Sequence, residues 1–377
     1  MKDGMRILVC GGGEEGTTFA RDLLEFYGDR VSKIIIGDKD LENAKRAEAE
    51  IGSGKASVQR LDISNHKELV EAIKNVDLVM NYVGPFYRWG NKVLKAAIEA
   101  KKNYIDIDDD SESTLQCLDL DEEARAAGIT AIIGLGSGPG ADNLLARYGA
   151  EKLDRVDEIN IYWVGNFRYL GSRLQPRAVY AHALNGIQKA GPQFINGEFV
   201  NPPPGSGATW VDFDAPIGRA ECLYFAHPEA VTLPRYIKGL KTATNRGGLI
   251  PDFRMRRLRE ALDLGLAQEK PIEVEGKLVS PISFMCALED AYPPPEYPGD
   301  NTGSAIKIEI RGMKNGKPHE YIYGGATTSM AKATAAPAAI GALMIYEGDI
   351  KKKGVFAPEG CIDNFRKFMS ELKKRGI

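Results

Sequence analysis

The chain has 377 residues, 43% of them hydrophobic and 27% charged, with a formal net charge of −3 at pH 7. This length predicts two domains, and the small net charge favours neither nucleic acid nor an anionic membrane surface as a partner. Five scattered cysteines without metal-ligand spacing predict reduced thiols and no metal site. The sequence shows no secretory signal pattern and no apolar run near the ~20 residues that span a bilayer, so we expect a soluble cytoplasmic protein.

The first segment has the pattern of a dinucleotide-binding strand, turn and helix. Ile7–Val9 form an apolar run suited to a strand buried on both faces, and glycines follow in the spacing Gly11-x-Gly13-x-x-Gly16. Apolar residues over Phe19–Phe26 then recur at helical spacing. Such glycines let backbone N–H groups approach a pyrophosphate at the positive end of the helix. The pattern predicts binding of a nicotinamide dinucleotide.

Two acidic residues make this glycine loop unusual. Glu14 and Glu15 stand where apolar residues are usual, beside a site for an anion. Their backbone N–H groups can still serve the pyrophosphate if the side chains point to solvent. We therefore count both among the cofactor-binding residues.

Asp38 ends the second apolar run and predicts the choice of cofactor. A carboxylate at this point can accept a hydrogen bond from the ribose 2′-hydroxyl, and it would repel a 2′-phosphate. Lys39 could partly offset that repulsion. We expect NAD rather than NADP, although Asp38 could also cap the helix that follows.

The next hundred residues alternate between strand and helix patterns. The helices are expected at 41–52, 67–74, 89–101 and 114–127, and the strands at 56–61, 76–81, 103–106 and 129–133. This alternation predicts a Rossmann-type, doubly wound parallel sheet of the α/β class. Ligands of such sheets bind beyond the carboxyl ends of the strands.

Further cofactor contacts are predicted at those strand ends. Asp62, followed by Ile63, could accept from the adenine amino group or could cap a helix. The turn after the fourth strand should pass close to the cofactor or be a plain turn; its candidate contacts are Asn81, Val83, Gly84 and Pro85.

Four carboxylates follow the fifth strand within Asp106–Asp110. Carboxylates this close repel one another unless they are solvated or matched by a cation. One interpretation is an exposed loop that caps the next helix. The other is a negative wall that receives a cationic amine, with Asp106 as a catalytic and cofactor-contacting residue and Asp108 as a substrate ligand.

The pattern changes after about residue 149. Val156–Val164 alternates like an antiparallel strand, helices are expected near 176–189 and 251–267, and Asn196-Gly197 and Asn315-Gly316 have the pattern of hairpin turns. From Thr328 an alanine-rich helix, started or kinked by Pro337, should cross back to the first domain. We expect a Rossmann domain at 1–145 completed by 327–377, and an inserted α+β substrate and dimerisation domain at 146–326.

The inserted domain supplies candidates for acid–base chemistry and for binding a substrate. His227 lies beside Glu229, so the pair could exchange protons near neutral pH or form a buried corner. Arginines could hold a substrate carboxylate by bidentate contacts or lie on the surface; the candidates are Arg168, Arg173, Arg177 and Arg246.

Tyr148 and Lys152, with Ser137 upstream, match the YxxxK pattern of short-chain dehydrogenases. One such match is expected by chance in a chain with this many tyrosines and lysines. The long inserted domain does not suit that family.

Several motifs together resemble the saccharopine dehydrogenase-like oxidoreductases, a group that includes saccharopine reductase, lysine 6-dehydrogenase and carboxynorspermidine dehydrogenase. They follow the order of that family over nearly the whole chain. The matching segments are Val9–Gly16, Asn81–Phe86, Tyr104–Asp108, Ala124–Ile129, Gly134–Leu145, His227–Pro234, Thr328–Ala338 and Gly354–Glu359.

The resemblance implies a nicotinamide cofactor, chemistry at a carbon–nitrogen bond and a homodimer. We therefore expect an NAD(P)-dependent oxidoreductase that transfers hydride at a CH–NH centre of an amino acid or polyamine derivative. The alternatives are a sensor or scaffold that binds NAD(P) without turnover, and a short-chain-type ketone or alcohol reductase.

Overall fold

The computed structural model describes residues 4–166, 176–292 and 303–377; the side chains of 176–181 and 289–290 are outside that description. The chain divides into two compact units. The first unit comprises residues 1–144 and 331–377, and the second comprises residues 145–330.

Strands and helices alternate through the first 150 residues. In chain order they are β1 (Met5–Cys10), α1 (Glu14–Tyr27), β2 (Val31–Asp38), α2 (Leu41–Ile51), β3 (Ala56–Arg60), α3 (His66–Lys74), β4 (Leu78–Asn81), α4 (Phe86–Glu99), β5 (Asn103–Asp106), α5 (Ser111–Leu118), α6 (Asp121–Ala127), β6 (Thr130–Ile132) and α7 (Ala141–Ala150).

The middle of the chain is richer in strands. Its elements are β7 (Arg155–Gly165), α8 (Pro176–Lys189), β8 (Gln193–Ile195), β9 (Glu198–Val200), β10 (Thr209–Asp212), β11 (Arg219–Tyr224), α9 (Glu229–Tyr236), β12 (Thr242–Leu249), α10 (Asp252–Asp263), β13 (Ile272–Val274), β14 (Lys277–Val279), α11 (Pro281–Ala291), β15 (Ser304–Lys314) and β16 (Lys317–Thr327). The chain ends with α12 (Met330–Glu347), β17 (Gly354–Phe356), α13 (Pro358–Cys361) and α14 (Phe365–Lys374).

The sheet of the first unit confirms the predicted doubly wound parallel fold. Within the described residues its strand order is β17-β6-β5-β4-β1-β2-β3, and every pairing is parallel. Alternate residues of β1 enter two different cores: Ile7 lies in one, and Leu8 lies in the other. A strand covered on both faces explains its continuous apolar sequence.

The seventh strand of this sheet comes from the C-terminal segment. β17 adds to β6 through the register Gly354 to Thr130 and Phe356 to Ile132. The alanine-rich α12 packs in the same unit, where an added Cβ on Gly341 would lie 2.2 Å from the Leu135 side chain. Small residues on α12 therefore allow close packing against the sheet.

Two predicted helix boundaries were wrong. The helix expected at 114–127 is two helices, α5 and α6, because the chain turns at Asp119 and Leu120 between them. The helix expected at 89–101 begins earlier, at Phe86, because Pro85 occupies the N-cap position of α4.

The sheet of the second unit is mixed rather than wholly antiparallel. Its path is β10-β11-β12-β7-β15-β16, and the central pair β12 and β7 is parallel. Both predicted hairpins are confirmed, between β8 and β9 and between β15 and β16. Asn196, Gly197, Asn315 and Gly316 all have positive φ, from 53° to 87°, as a two-residue type I′ turn requires.

A buried ion pair joins the C-terminal segment to the helix of the glycine loop. The Arg375 guanidinium donates through Nε at 2.8 Å to Asp22 Oδ2 and through Nη2 at 2.8 Å to Asp22 Oδ1, on α1. Both side chains are nearly inaccessible, at 0% and 5% exposure. The Tyr27 hydroxyl donates to Glu371 Oε2 at 2.6 Å and accepts from Arg375 Nη1, so α1 and α14 are held by one polar network.

All five cysteines are free and buried. Burial raises the pKa of the Cys10 and Cys222 thiols to about 12, so neither is a ready nucleophile. Within the described ranges, no helix combines the length and the apolar character needed to cross a membrane.

Candidate cofactor and acid–base sites

The glycine loop between β1 and α1 has the geometry of a dinucleotide cradle. Gly11 has φ +100°, and an added Cβ there would lie 3.2 Å from the Tyr82 carbonyl oxygen. At Gly16 an added Cβ would lie only 2.2 Å from the Gly11 carbonyl oxygen, so the loop closes on α1 only with glycine there. A Cβ on Gly13 would meet no protein atom within 4 Å, which leaves space for a ligand to approach the backbone.

The amino end of α1 opens on this cradle. Its N-cap is Gly13, and no side chain in the described part of the chain caps it. The first-turn N–H groups and the helix dipole therefore favour an anion such as a pyrophosphate.

Asp38 is held against the loop at the end of β2. Its Oδ2 accepts from Gly12 N at 2.9 Å and from Asn43 Nδ2 at 2.7 Å, and its Oδ1 accepts from Asp40 N at 2.9 Å. The N-cap of α2 is Asp40, not Asp38. Asp38 is therefore positioned beside the glycine loop, and the adjacent Lys39 is exposed.

Asp62 organises the turn after β3. Its Oδ1 accepts from the backbone N–H of Ser64 at 2.9 Å and from the Ser64 hydroxyl at 2.7 Å, and these bonds lower the pKa of Asp62. The following helix α3 is capped by Asn65 instead. Ile63 is half-buried against the core of the first unit.

A buried hydrogen-bonded chain ties the ends of β4 and β5. Asn81 Nδ2 donates to the Tyr104 hydroxyl at 3.1 Å, and that hydroxyl donates to Asp106 Oδ2 at 2.7 Å. Asn81 Oδ1 accepts from Val83 N, which fixes the turn that leads through Gly84 and Pro85 into α4. Asn81 thus shapes the turn beside Gly11 by internal contacts.

Three of the four carboxylates at the end of β5, those of Asp106, Asp108 and Asp110, are buried, which neither interpretation of the sequence predicted. Asp106 Oδ1 accepts from Gly134 N at 2.7 Å and from Asp108 N at 3.0 Å. Asp108 Oδ1 accepts from Asp110 N, and Asp110 Oδ2 accepts from Tyr87 N. Burial raises the pKa of Asp106 to about 6, and burial together with the charges of Asp106 and Asp110 raises the pKa of Asp108.

These contacts give Asp106 and Asp108 an internal role. Both oxygens of Asp106 are engaged by backbone or tyrosine donors, so it holds the loop rather than forming a solvated wall. Asp109 is the half-buried carboxylate of this run.

The side chain of Glu15 does not meet the expectation that it would point to solvent. Its side chain is half-buried, and its Oε2 is enclosed without a hydrogen-bond partner. Burial, with the charges of Glu14 and Asp109, raises the pKa of Glu15 to about 8. Glu15 therefore does not simply point to solvent.

In the second unit, His227 and Glu229 form a close pair. His227 Nδ1 lies 2.7 Å from Glu229 Oε2, and the two residues are 4% and 0% exposed. The rings of Trp163 and His182 lie 5.6 Å and 5.9 Å from that of His227. A carboxylate at this distance orients the imidazole, an arrangement suited to proton exchange.

Arg246 is not brought together with this pair. Arg246 donates to the Tyr224 hydroxyl, the Thr244 hydroxyl and the Gly207 carbonyl oxygen. Its neighbour on β12, Asn245, accepts from Trp163 Nε1. Since successive side chains of a strand point to opposite faces, Arg246 lies on the face of the sheet away from Trp163 and His227.

The side chains of the other three arginine candidates for binding a substrate carboxylate lie outside the described part of the structure. Arg168 and Arg173 lie outside the described residues, as does the side chain of Arg177.

Tyr148 and Lys152 belong to an aromatic cluster of the second unit. Lys152 Nζ lies 3.8 Å from the Tyr148 ring centroid and donates to the Tyr323 hydroxyl at 2.9 Å. Tyr323 lies on β16, far along the chain from the glycine loop. The contacts explain the YxxxK match as packing.

Comparison with known proteins covers both ends of the chain. Residues 7–132 match the saccharopine dehydrogenase NADP binding domain, and residues 189–377 match the saccharopine dehydrogenase C-terminal domain. The chain belongs to the saccharopine dehydrogenase family. It is an NAD(P)-binding oxidoreductase, as the resemblance predicted.

Relatives of this family member extend along nearly all of it. A carboxynorspermidine synthase of Vibrio alginolyticus is 26% identical, over 94% of this chain and 92% of its own. A carboxyaminopropylagmatine dehydrogenase of Synechocystis sp. is 22% identical, over 99% and 96%. The apo saccharopine dehydrogenase (L-Glu forming) of Saccharomyces cerevisiae shares the fold, with a TM-score of 0.68 at 17% identity over 99% of this chain and 98% of its own.

The residues of the first unit fit the dinucleotide that the family binds. The glycine cradle, the uncapped amino end of α1 and the Asp38 carboxylate lie along one edge of the parallel sheet, at the point where the strand order reverses between β4 and β1. The dinucleotide supplies hydride transfer. The protein supplies the positioning and the proton management.

Sequence reasoning missed two polar groups at this edge. Tyr104, on β5, links Asn81 to Asp106, and Asn43, on α2, holds Asp38. Tyr104 belongs to one of the segments that match the family, where it has the pattern of an apolar strand residue. Nothing in the local sequence indicated that its hydroxyl makes hydrogen bonds. Asn43 had a weak signal, because it lies five residues after Asp38 on the next helix.

Proposed function

We propose that this enzyme transfers hydride between a nicotinamide cofactor and the carbon of a CH–NH group in a carboxylated amine, of the amino acid or polyamine class. The observation that carries the proposal is likeness over nearly the whole chain to two relatives whose names, carboxynorspermidine synthase and carboxyaminopropylagmatine dehydrogenase, designate carboxylated amines. The glycine cradle and the His227–Glu229 pair are the chemical groups that such a reaction needs.

In the oxidative direction the amine must lose a proton before hydride can leave its carbon. The nitrogen lone pair then forms the C=N bond as the hydride departs with its two electrons. We assign the proton to the imidazole of His227, whose Nδ1 lies 2.7 Å from Glu229 Oε2. Glu229 stabilises the imidazolium that results, and the second unit therefore serves as the substrate domain.

His227→Ala is expected to lower kcat by roughly 10²–10⁴-fold, the usual contribution of a general base. Dinucleotide affinity should be unchanged, because the glycine cradle is in the first unit. The assay follows nicotinamide absorbance with saccharopine, lysine and carboxylated polyamines, beside matched alcohols.

The matched control is His66→Ala, which removes an exposed histidine paired with Glu99. It should leave kcat unaltered. Full activity of a folded His227→Ala variant would remove His227 from the mechanism, and turnover of alcohols without any amine would refute the proposed function.

We propose NAD as the preferred cofactor, and Asp38 as the reason. Its carboxylate is fixed at the end of β2 by Gly12 N and Asn43 Nδ2, where a ribose 2′-hydroxyl can donate to it and a 2′-phosphate would be repelled. The family description names NADP, and the exposed Lys39 and Arg60 are the cations that could favour it.

Asp38→Ala is expected to shrink the ratio of NADP to NAD dissociation constants at least tenfold, measured by titration calorimetry. Asn43→Ala is the matched control, because it removes one donor to Asp38 and keeps the carboxylate. If the unmodified protein binds NADP tenfold more tightly than NAD, Asp38 is not the ribose ligand.

A further inference from the structure

Glu15 is a charged group at the cofactor cradle that the proposed reaction does not use. It is the second residue of α1, inside the glycine motif, and its Oε2 is buried with no hydrogen-bond partner. The hydroxyl of Tyr82, in the turn after β4, is also buried without a partner. Burying a polar atom without a hydrogen-bond partner costs free energy. We therefore expect these two atoms to interact with a group of the bound ligand.

The position of Glu15 indicates which part of the dinucleotide it meets. The pyrophosphate binds at the amino end of α1, and Asp38 marks the adenosine side at β2. Glu15 interacts electrostatically instead with Tyr82, after β4, and with Asp109, after β5. Those strands lie on the other side of β1 in the sheet, which is the nicotinamide half of the crevice.

The charged groups that act on Glu15 are both negative. Glu14 adjoins it on α1, Asp109 faces it from the loop after β5, and Tyr82 faces it from the turn after β4 as a neutral phenol. Among the described residues that act on its carboxyl group, none is a cation. The described residues around Glu15 therefore supply no positive charge to stabilise its ionised carboxylate.

We propose that Glu15 sets the relative affinity of the enzyme for oxidised and reduced cofactor, because its carboxylate favours the cationic ring of the oxidised nicotinamide over the neutral ring of the reduced one. Such an interaction is strong in a half-buried site, where the effective dielectric constant is below that of water. Glu15 would thus discriminate between the redox forms of the cofactor from a position where an apolar residue is usual.

The sign of the pH dependence follows. The pKa of Glu15 in the free protein is raised to about 8, so the carboxyl group is mostly neutral at pH 6.5 and mostly ionised at pH 9.5. Affinity for the oxidised form, relative to the reduced form, should increase as the pH rises through about 8. Compared with the reduced form, the oxidised form should therefore give Glu15 a lower pKa when bound, because only the oxidised ring carries a positive charge.

The pyrophosphate acts in the opposite direction, because it repels the ionised carboxylate. That repulsion is common to both redox forms and to ADP-ribose, which has no nicotinamide. Comparing the two redox forms therefore cancels it, and ADP-ribose measures it alone.

The experiment measures dissociation constants of the full chain for oxidised cofactor, reduced cofactor and ADP-ribose at pH 6.5 and 9.5. For the unmodified protein, the ratio of reduced to oxidised dissociation constants should rise about tenfold between the two pH values. Glu15→Gln should make that ratio independent of pH, with its value near that of the unmodified protein at pH 6.5.

Glu14→Gln is the matched control, since it removes the same charge one residue away and should retain most of the pH dependence. Equal effects of the two variants would show a general charge effect and overturn the assignment to Glu15. A ratio that does not change with pH in the unmodified protein would overturn it without any variant. Circular dichroism and thermal unfolding confirm that each variant is folded.

Discussion

Gly13→Ala is expected to leave the fold intact and to weaken NAD(P) binding about a hundredfold, equivalent to ~2.7 kcal/mol. Gly13 has φ −72° and ψ −175°, a conformation open to any residue, and a Cβ there meets no protein atom within 4 Å. The space that it would fill is where the pyrophosphate approaches the backbone. Titration with NAD(H) and NADP(H), beside a thermal unfolding curve, checks both halves of the expectation.

Gly16→Ala is the informative contrast. Its Cβ would lie 2.2 Å from the Gly11 carbonyl oxygen, so this variant should distort the loop and lower stability as well as affinity. If Gly13→Ala binds the cofactor as the unmodified protein does, the dinucleotide does not pass over Gly13 and the cradle has been misplaced.

Arg375→Ala is expected to lower the free energy of unfolding by about 3–5 kcal/mol, the usual result of leaving one member of a buried ion pair unmatched. The change leaves the buried Asp22 carboxylate on α1 without its cationic partner and removes the donor to the Tyr27 hydroxyl. It also removes the guanidinium that lies 4.0 Å from the centre of the Phe26 ring. Denaturant unfolding at pH 7 measures the loss.

Lys45→Ala serves as the control because its ion pair with Glu42 is at the surface, where the two side chains are 52% and 79% exposed. It should leave the free energy of unfolding almost unchanged. The double variant Arg375→Ala with Asp22→Ala should be less destabilised than the sum of the two single changes, because the two residues form one pair. Additive losses, or a loss below ~1 kcal/mol for Arg375→Ala, would contradict the network described for α1 and α14.

The fold of the first unit was predictable because its signals are local. Apolar runs such as Ile7–Val9, each followed by a polar or glycine turn, recur in the order that a parallel sheet requires. β17 escaped prediction because three residues carry too little periodicity. The parallel pairing of β12 with β7 escaped for another reason: strand direction between distant segments depends on the whole topology, not on alternation within either strand.

The candidate site likewise has features that the local sequence predicts and features that only the tertiary structure determines. The glycine loop could be recognised from the sequence because close approach of the backbone demands glycine at particular spacings, whereas Asp38 as the ribose ligand stays a prediction. The burial of Asp106 and Asp108 was not predictable, because their donors, Gly134 N and the Tyr104 hydroxyl, are fixed by tertiary structure. The enclosure of Glu15 was likewise invisible, since a charged residue on a first helical turn is ordinarily solvated.

The transfer of label from an amine to the cofactor tests the proposed reaction most directly. A carboxylated secondary amine, deuterated on the carbon next to nitrogen, is incubated with the enzyme and oxidised cofactor, and the nicotinamide is examined by mass spectrometry. The proposed reaction predicts deuterium on the reduced nicotinamide, one proton released, and hydrolysis of the C=N product by water to a carbonyl compound and a smaller amine. Binding of the cofactor with all deuterium retained in every amine offered, or transfer from matched alcohols alone, would contradict it.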